Sequence, residues 1–312
     1  MQDMRVAVIG AGLMGHAIAY MLAAAGHPVA LQDPSKETLA TVPDRFARIA
    51  ETLGDENDAI DRVCLFSNLA EAVEGAGMVI EAAPEKPGLK QALFAELDTL
   101  TGPDVILASN TSVIPITRIS ERVQAKSRVI GTHFWNPPHI VRLVEVIQTE
   151  HTNLDHVDAA IAILANAGMS PVHVKKDVPG FIGNRLQHAL KREAIALVAD
   201  GVCDAKTLDF VVREGFGARL GVIGPLEQSD MISVAMTLDI HEVLMPHLDN
   251  TAEAHPFLRE KVAKGETGMP VGRGFADWTA EDAQEVRDRF ARFMSARAAE
   301  IRSAKANKRK PA

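Results

Sequence analysis

The residues with the most chemistry to offer lie close together, in the stretch GTHFWNPPHIVRLVEV from Gly131 to Val146. It sets His133 and Asn136 at a Pro-Pro turn and places an acid, Glu145, in the apolar run LVEV, which otherwise reads as a buried strand. A carboxylate left ionised and alone in such a strand carries a large desolvation cost. Glu145 therefore needs a partner, and His133 across the turn is the nearest cation or donor. An imidazole held by a carboxylate is the usual form of a general base near neutral pH. A core histidine bonded to a structural acid fits the same residues, and this stretch alone leaves both readings open.

Three further stretches carry polar residues where a strand pattern ends or a helix begins: EAAPEK (Glu81 to Lys86), SNTS (Ser109 to Ser112) and GFIGNR before a long helix. Taken singly these residues have plainer readings. Ser112 fits a cap for the helix after Pro115, Asn136 before Pro137 is a turn residue, Asn184 fits a backbone contact at a helix start, and Lys90 fits a solvated helix lysine. Their joint placement at strand ends argues for a site.

The elements that would position them begin at the N-terminus. Arg5 to Ile9 is an apolar, partly β-branched run that leads into GAGLMG and then the small-residue pattern HAIAYMLAAAG. Strand, glycine turn and helix in that order form the context in which GxGxxG points to a dinucleotide. Gly10 permits the turn, Gly12 lets backbone approach a pyrophosphate, and Gly15 lets helix pack on strand, while the helix start at Leu13 and Met14 supplies N–H groups. The next strand, PVALQD, ends at Asp33, where an acid accepts hydrogen bonds from the adenosine ribose; this selects NAD over NADP, with Lys36 the nearby cation that a 2′-phosphate would use.

Strand patterns resume at RVCLFS, MVIEAA, VILAS and RVIG with helical stretches between them, and LVEVIQTE and PVHVKKD flank a helix from Leu154 to Gly168. The alternation predicts an α/β, Rossmann-type doubly wound parallel sheet over residues 1–178. Beyond it the chain reads as helices joined by Gly/Pro breaks, a second, all-helical domain over 179–303 with Val178–Gly180 as the hinge. The basic segment KANKRK falls in a tail, 304–312, expected to be disordered. Apolar segments such as Lys191–Val198 and Gly224–Leu238 exceed what one narrow domain buries, so a homodimer through this domain is expected.

Composition narrows the class. The chain of 312 residues is 47% apolar and carries a net charge of −8 with its acids spread along it, which argues against nucleic acid as a partner. Cys64 and Cys203 form neither a disulfide framework nor a metal site, and no metal is expected. The opening MQDMRVAVIG lacks the regions of a signal peptide, and no apolar run approaches the roughly 18 residues of a membrane span. A cytoplasmic protein without membrane contact is the expectation.

GAGLMG, EAAPE followed by Lys90, SNTS, GTHFWNPPH, LVEV and KKDVPGFIGNR together resemble, in order and spacing, the L-3-hydroxyacyl-CoA dehydrogenases, over nearly the whole chain and less clearly after about residue 225. The resemblance implies NAD as cofactor, a dimer, His133 as catalytic base and Glu145 as its orienting partner. It implies that Ser112 and Asn184 hydrogen-bond the reacting oxygen and that Glu85, Lys90 and Asn136 lie near the nicotinamide ribose. Ala83 and Asn110, within EAAPE and SNTS, fall among the cofactor contacts.

Several features depart from the acyl-CoA pattern. The segment between Asp33 and Arg62 is short and acidic around Asp55 to Asp61, where those enzymes carry a longer arm with lysines for the CoA phosphates. Gly88 stands where a lysine is usual, and Trp135 and Pro138 replace a phenylalanine and a non-proline residue. These features look more like branches that oxidise small free hydroxy acids or hydroxymethyl aromatics. For such a substrate Arg142 and Arg185 are candidate carboxylate partners. The substrate is thus a small molecule, an acyl-CoA or a free hydroxy acid; a non-catalytic NAD-binding protein is the reading from another class. If His133 is the base, His133→Ala lowers turnover by about two to four orders of magnitude with NADH binding nearly unchanged. Steady-state kinetics beside NADH fluorescence titration check this.

Overall fold

The computed structural model describes residues 4–56 and 58–309. Eight strands form a single sheet in the order β3-β2-β1-β4-β5-β6-β7-β8. They are β1 (Val6–Ile9), β2 (Val29–Gln32), β3 (Val63–Phe66), β4 (Met78–Glu81), β5 (Ile106–Ser109), β6 (Val129–Phe134), β7 (Leu143–Ile147) and β8 (Ser170–Val174). All neighbours are parallel except β6 and β7, which run antiparallel and set His133 directly opposite Glu145. His133 thus belongs to a strand and not to the turn expected for it. Thr132 to Phe134 pair with Val146 to Val144, and only the prolines that follow end the strand.

Helices of this unit are α1 (Gly15–Ala24), α2 (Lys36–Ala40), α3 (Val42–Leu53), α4 (Leu69–Val73), α5 (Pro87–Leu100), α6 (Ile116–Ile119) and α7 (Leu154–Asn166). One face of the sheet is covered by α1, α3 and α7, whose Ile18, Leu22, Phe46 and Ile163 join Val8, Leu31 and Val146 in one core. On the other, Val73, Phe94 and Leu97 of α4 and α5 meet Ala7, Val79 and Leu107. Strands β1, β2, β4 and β5, buried on both faces, accordingly read as near-continuous apolar runs. Tyr20 and Phe46 pack edge to face at 5.2 Å, and the Tyr20 hydroxyl donates to Asp55 at 3.2 Å, which ties α3 to α1.

The chain then continues as α8 (Gly183–Ala199), α9 (Ala205–Glu214), α10 (Pro225–Ile232), α11 (Val234–Leu244), α12 (Pro256–Ala263) and α13 (Ala280–Arg309). By its internal contacts it divides into two compact units after Arg185, and the described residues from Arg292 onward count with the first unit. The helix α13 runs through Arg309 where a disordered tail is expected, because Ala304 to Arg309 contain good helix formers and no breaker precedes Pro311. The rest of that predicted tail, 310–312, lies outside the described residues. In the second unit Ala196, Gly274 and Ala283 are the buried residues among those described, and large apolar side chains such as Val222, Leu226 and Met231 are exposed.

Candidate active site

Glu145 is 1% exposed in the middle of β7. Its Oε2 accepts a hydrogen bond from Nδ1 of His133 at 2.8 Å, and its Oε1 accepts the backbone N–H groups of Ile182 at 2.9 Å and Gly183 at 3.1 Å. Burial alone would raise its carboxyl, but the bonds from His133, Gly183 and Ile182 outweigh burial and hold it below the usual carboxylate range. An ionised acceptor places the imidazole proton on Nδ1 and leaves the Nε2 lone pair for a substrate proton. The ring is also fixed by contact. Trp135 lies 5.3 Å from it and Phe181 5.8 Å, centroid to centroid. The Trp135 ring occupies the space that a Cβ on Gly183 would need, so the glycine there lets the aromatic wall close on the helix start.

A second acid network holds the loops beside this pair. Glu81 is fully buried at the end of β4, and Lys90 of α5 donates to its Oε1 at 2.6 Å. The Ala83 N–H reaches the same oxygen at 2.7 Å, and the Ser109 hydroxyl donates to Oε2 at 2.6 Å. The Lys90 ammonium also reaches the Ala83 carbonyl at 3.2 Å and Glu85 at 3.4 Å. Glu85 Oε1 in turn accepts the Thr111 hydroxyl at 2.5 Å and the N–H groups of Ser112 and Val113 at 2.9 and 3.3 Å. Burial opposes its ionisation, and the contacts from Thr111, Lys90, Ser112 and Val113 prevail, so the Glu85 carboxyl also stands below its ordinary value. The carbonyl of Ser112 accepts the Asn184 side-chain amide at 2.8 Å. Asn110 is bound through its Oδ1 to the Phe134 N–H at 2.9 Å, which joins the end of β5 to the end of β6.

The structure therefore gathers Glu85, Ser112 and Asn184 in one hydrogen-bonded group, and His133 with Glu145 in another. Lys90 lies one layer beneath the loop, its ammonium enclosed by Glu81, Ala83 and Glu85. Asn136 is exposed before a cis Pro137 and joins neither group by a hydrogen bond among the described residues. Arg185 donates to the Pro179 carbonyl at 3.4 Å, and Arg142 lies beside Gly168 with Nε and Nη2 buried and unbonded among the described residues. Sequence reasoning did not single out Glu81. Its signal was nonetheless the one that marked Glu145, an acid inside an apolar strand run, MVIEAA.

The residues around the glycine turn fit a dinucleotide. A Cβ on Gly10 would approach the Ala82 carbonyl oxygen to 2.8 Å and one on Gly15 would collide with the Gly10 carbonyl, whereas Gly12 faces open space where a phosphate could come close to backbone. No side chain caps α1, and although the His16 N–H reaches the Gly12 carbonyl at 3.4 Å, the helix start can present its other first-turn N–H groups to an anion. Gly10, Gly12, Leu13, Met14, Asp33 and Ala83 all line one cavity of about 640 Å³. Asp33 is held at its rim by the N–H groups of Ala11 and Ser35, each at 2.9 Å.

A Rossmann unit with such a cleft, a histidine-carboxylate pair at its strand ends and a helical second unit define an NAD-dependent oxidoreductase acting on CH–OH donors. The models of the 3-hydroxyacyl-CoA dehydrogenase NAD binding domain and of its C-terminal domain match residues 5–178 and 180–278. The chain belongs to the 3-hydroxyacyl-CoA dehydrogenase family. It is 34% identical over 297 residues to 5-formyl-3-hydroxy-2-methylpyridine 4-carboxylate 5-dehydrogenase of Mesorhizobium japonicum, covering 93% of this chain and 96% of that one. It is 37% identical over 287 residues to a probable 3-hydroxybutyryl-CoA dehydrogenase of Bacillus subtilis, covering 89% and 98%. A crystal structure of the former activity, described as an NAD+-dependent dismutase, superposes with a TM-score of 0.86 at 32% identity, covering 96% of this chain and 98% of that one.

Because the folded Glu145 and Glu85 carboxyls lie below their unfolded values, the stability they contribute is complete above about pH 4.5 and is lost as pH falls through their folded values. Melting temperatures measured from pH 7 down to 3 should fall more steeply for the wild type than for Glu145→Gln, which starts lower and keeps only the titration of Glu85.

Proposed function

We propose that the chain oxidises the hydroxyl-bearing carbon of a small free acid, such as a hydroxy acid or a hydroxymethyl pyridine carboxylate, with His133 as general base. NAD, when bound, takes the hydride. His133 Nε2 takes the hydroxyl proton, and Glu145 steadies the imidazolium that results. The Ser112 hydroxyl and the second N–H of the Asn184 amide hold the substrate oxygen as it becomes a carbonyl. Gly10, Gly12, Leu13, Met14, Gly15, Asp33 and Ala83 hold the cofactor, while Glu85, Asn110 and Asn136 border its nicotinamide end and Lys90 acts there through Glu85. The observation that carries the chemistry is the 2.8 Å bond from His133 Nδ1 to a buried Glu145, which leaves one nitrogen for a proton.

The free-acid class is supported by the brief α2–α3 segment between β2 and β3 and by likeness along the full length to the pyridine carboxylate enzyme. A CoA thioester is the second reading, supported by the Bacillus relative and by the match to the C-terminal domain model. NADH oxidation with a panel of keto acids and pyridine carboxylates, run beside acetoacetyl-CoA, tests them. Turnover of a free acid and not of the thioester is the expected result, and the reverse overturns the free-acid reading.

The second unit supports a homodimer, since many large apolar side chains between Phe210 and Met245, among them Val222, Leu226 and Val243, are exposed in a single chain. Sedimentation equilibrium giving twice the chain mass is expected; a single-chain mass at micromolar concentration ends the proposal. Cys64 and Cys203 are both free, which is in keeping with residence in a reducing cytoplasm, and no described helix is long and apolar enough to cross a membrane.

A further inference from the structure

Phe181 is the one residue other than glycine that adopts a left-handed backbone among the described residues, at φ +51°. The turn before it does not require this. Pro179 and Gly180, the latter at φ +75°, take the central places of a turn that closes when the Phe181 N–H donates to the Val178 carbonyl at 3.0 Å, and proline followed by glycine suits such a turn. Phe181 lies one residue further on, where a side chain makes the left-handed conformation costly. An outlier of this kind persists only where its surroundings over-determine it.

The surroundings do so from three sides. Upstream, Asp177 Oδ2 accepts the N–H and the hydroxyl of Thr117 in α6 at 2.7 and 2.8 Å. Downstream, the Asn184 amide donates to the Ser112 carbonyl at 2.8 Å. Between these anchors the Phe181 side chain is buried in the core that holds Ile114, Ile116 and Val174, with its ring 5.8 Å from that of His133. The next two N–H groups, of Ile182 and Gly183, both donate to Oε1 of Glu145. Consecutive N–H groups converge on one anion where a left-handed residue or a turn bends the chain in this way.

We propose that Phe181 is a positioning residue for the catalytic pair: its left-handed backbone turns the N–H groups of Ile182 and Gly183 onto one oxygen of Glu145, and burial of its ring holds that conformation in place. The inference rests on the reading of His133 as the base and says what keeps the carboxylate that serves it ionised and fixed.

Leucine and isoleucine are isomers that bury nearly the same apolar surface, but β-branched isoleucine tolerates a left-handed backbone far less. Phe181→Leu and Phe181→Ile in the full chain therefore separate backbone placement from packing. Hydrogen exchange followed by NMR is expected to find the Ile182 and Gly183 amides protected in the wild type near neutral pH and largely so in Phe181→Leu. In Phe181→Ile they exchange roughly tenfold faster or more, while amides of β1 stay within about twofold. The Glu145 carboxyl, whose titratable neighbour among the described residues is His133, is expected to titrate at higher pH in Phe181→Ile than in Phe181→Leu, because it has lost two donors. Equality of the two variants in either readout assigns Phe181 to packing alone and overturns the proposal, as do unprotected amides in the wild type. If Phe181→Ile fails to fold, Phe181→Gly set against Phe181→Ala makes the same comparison. Glycine, though smaller, is then expected to keep the slower exchange, and the reverse order overturns the proposal. Neither readout needs turnover, so the expected results in a protein that oxidises no alcohol with NAD sink the dehydrogenase reading and leave the positioning of Glu145 standing.

Discussion

A charge buried inside a sheet is the constraint to which the rest of this structure answers. The Glu145 carboxylate sits at 1% exposure in an apolar strand, where an unpaired charge would cost several kcal/mol. It is tolerated because three donors converge on it, one from β6 and two from the backbone where α8 begins. The same three bonds decide where the His133 ring lies, where β6 meets β7 and where the chain turns into α8. Satisfying the charge and building the site are therefore one requirement.

The device is used twice. Glu81, at the end of β4, is buried as deeply and is met by Lys90, Ser109 and the Ala83 N–H. Lys90 then touches Glu85, whose oxygen gathers the donors of the loop from Thr111 to Val113. A chain of alternating charges thus runs from the interior of the sheet to the Ser112 loop. Removing one member of such a network strands the next, so its parts act as a unit.

Much of this was legible in the residues. GAGLMG after an apolar strand required the turn seen at Gly10 and the close packing at Gly15, because those positions admit no side chain. Glu145 announced its partner by its polarity in an apolar run. His133 was harder to place, since two prolines nearby suggest a turn while strand pairing carries on to Phe134. Lys90 reads in sequence as a solvated helix lysine, because a buried lysine is visible only once its acid, Glu81, is known to face it. The reach of α13 past Lys305 depends on the absence of breakers, which local patterns mark weakly.

The antiparallel reversal at β6 and β7 has a meaning for inheritance. Histidine and acid lie on adjacent strands of one short hairpin, opposite each other in register, so their mutual placement owes little to distant parts of the chain. The strands that cradle the cofactor, β1, β2 and β4, come from elsewhere in the sequence. Proton chemistry and nucleotide recognition are thus encoded in separable segments. Loops and arms around the hairpin are free to diverge toward new substrates while the pair that moves the proton is passed on intact.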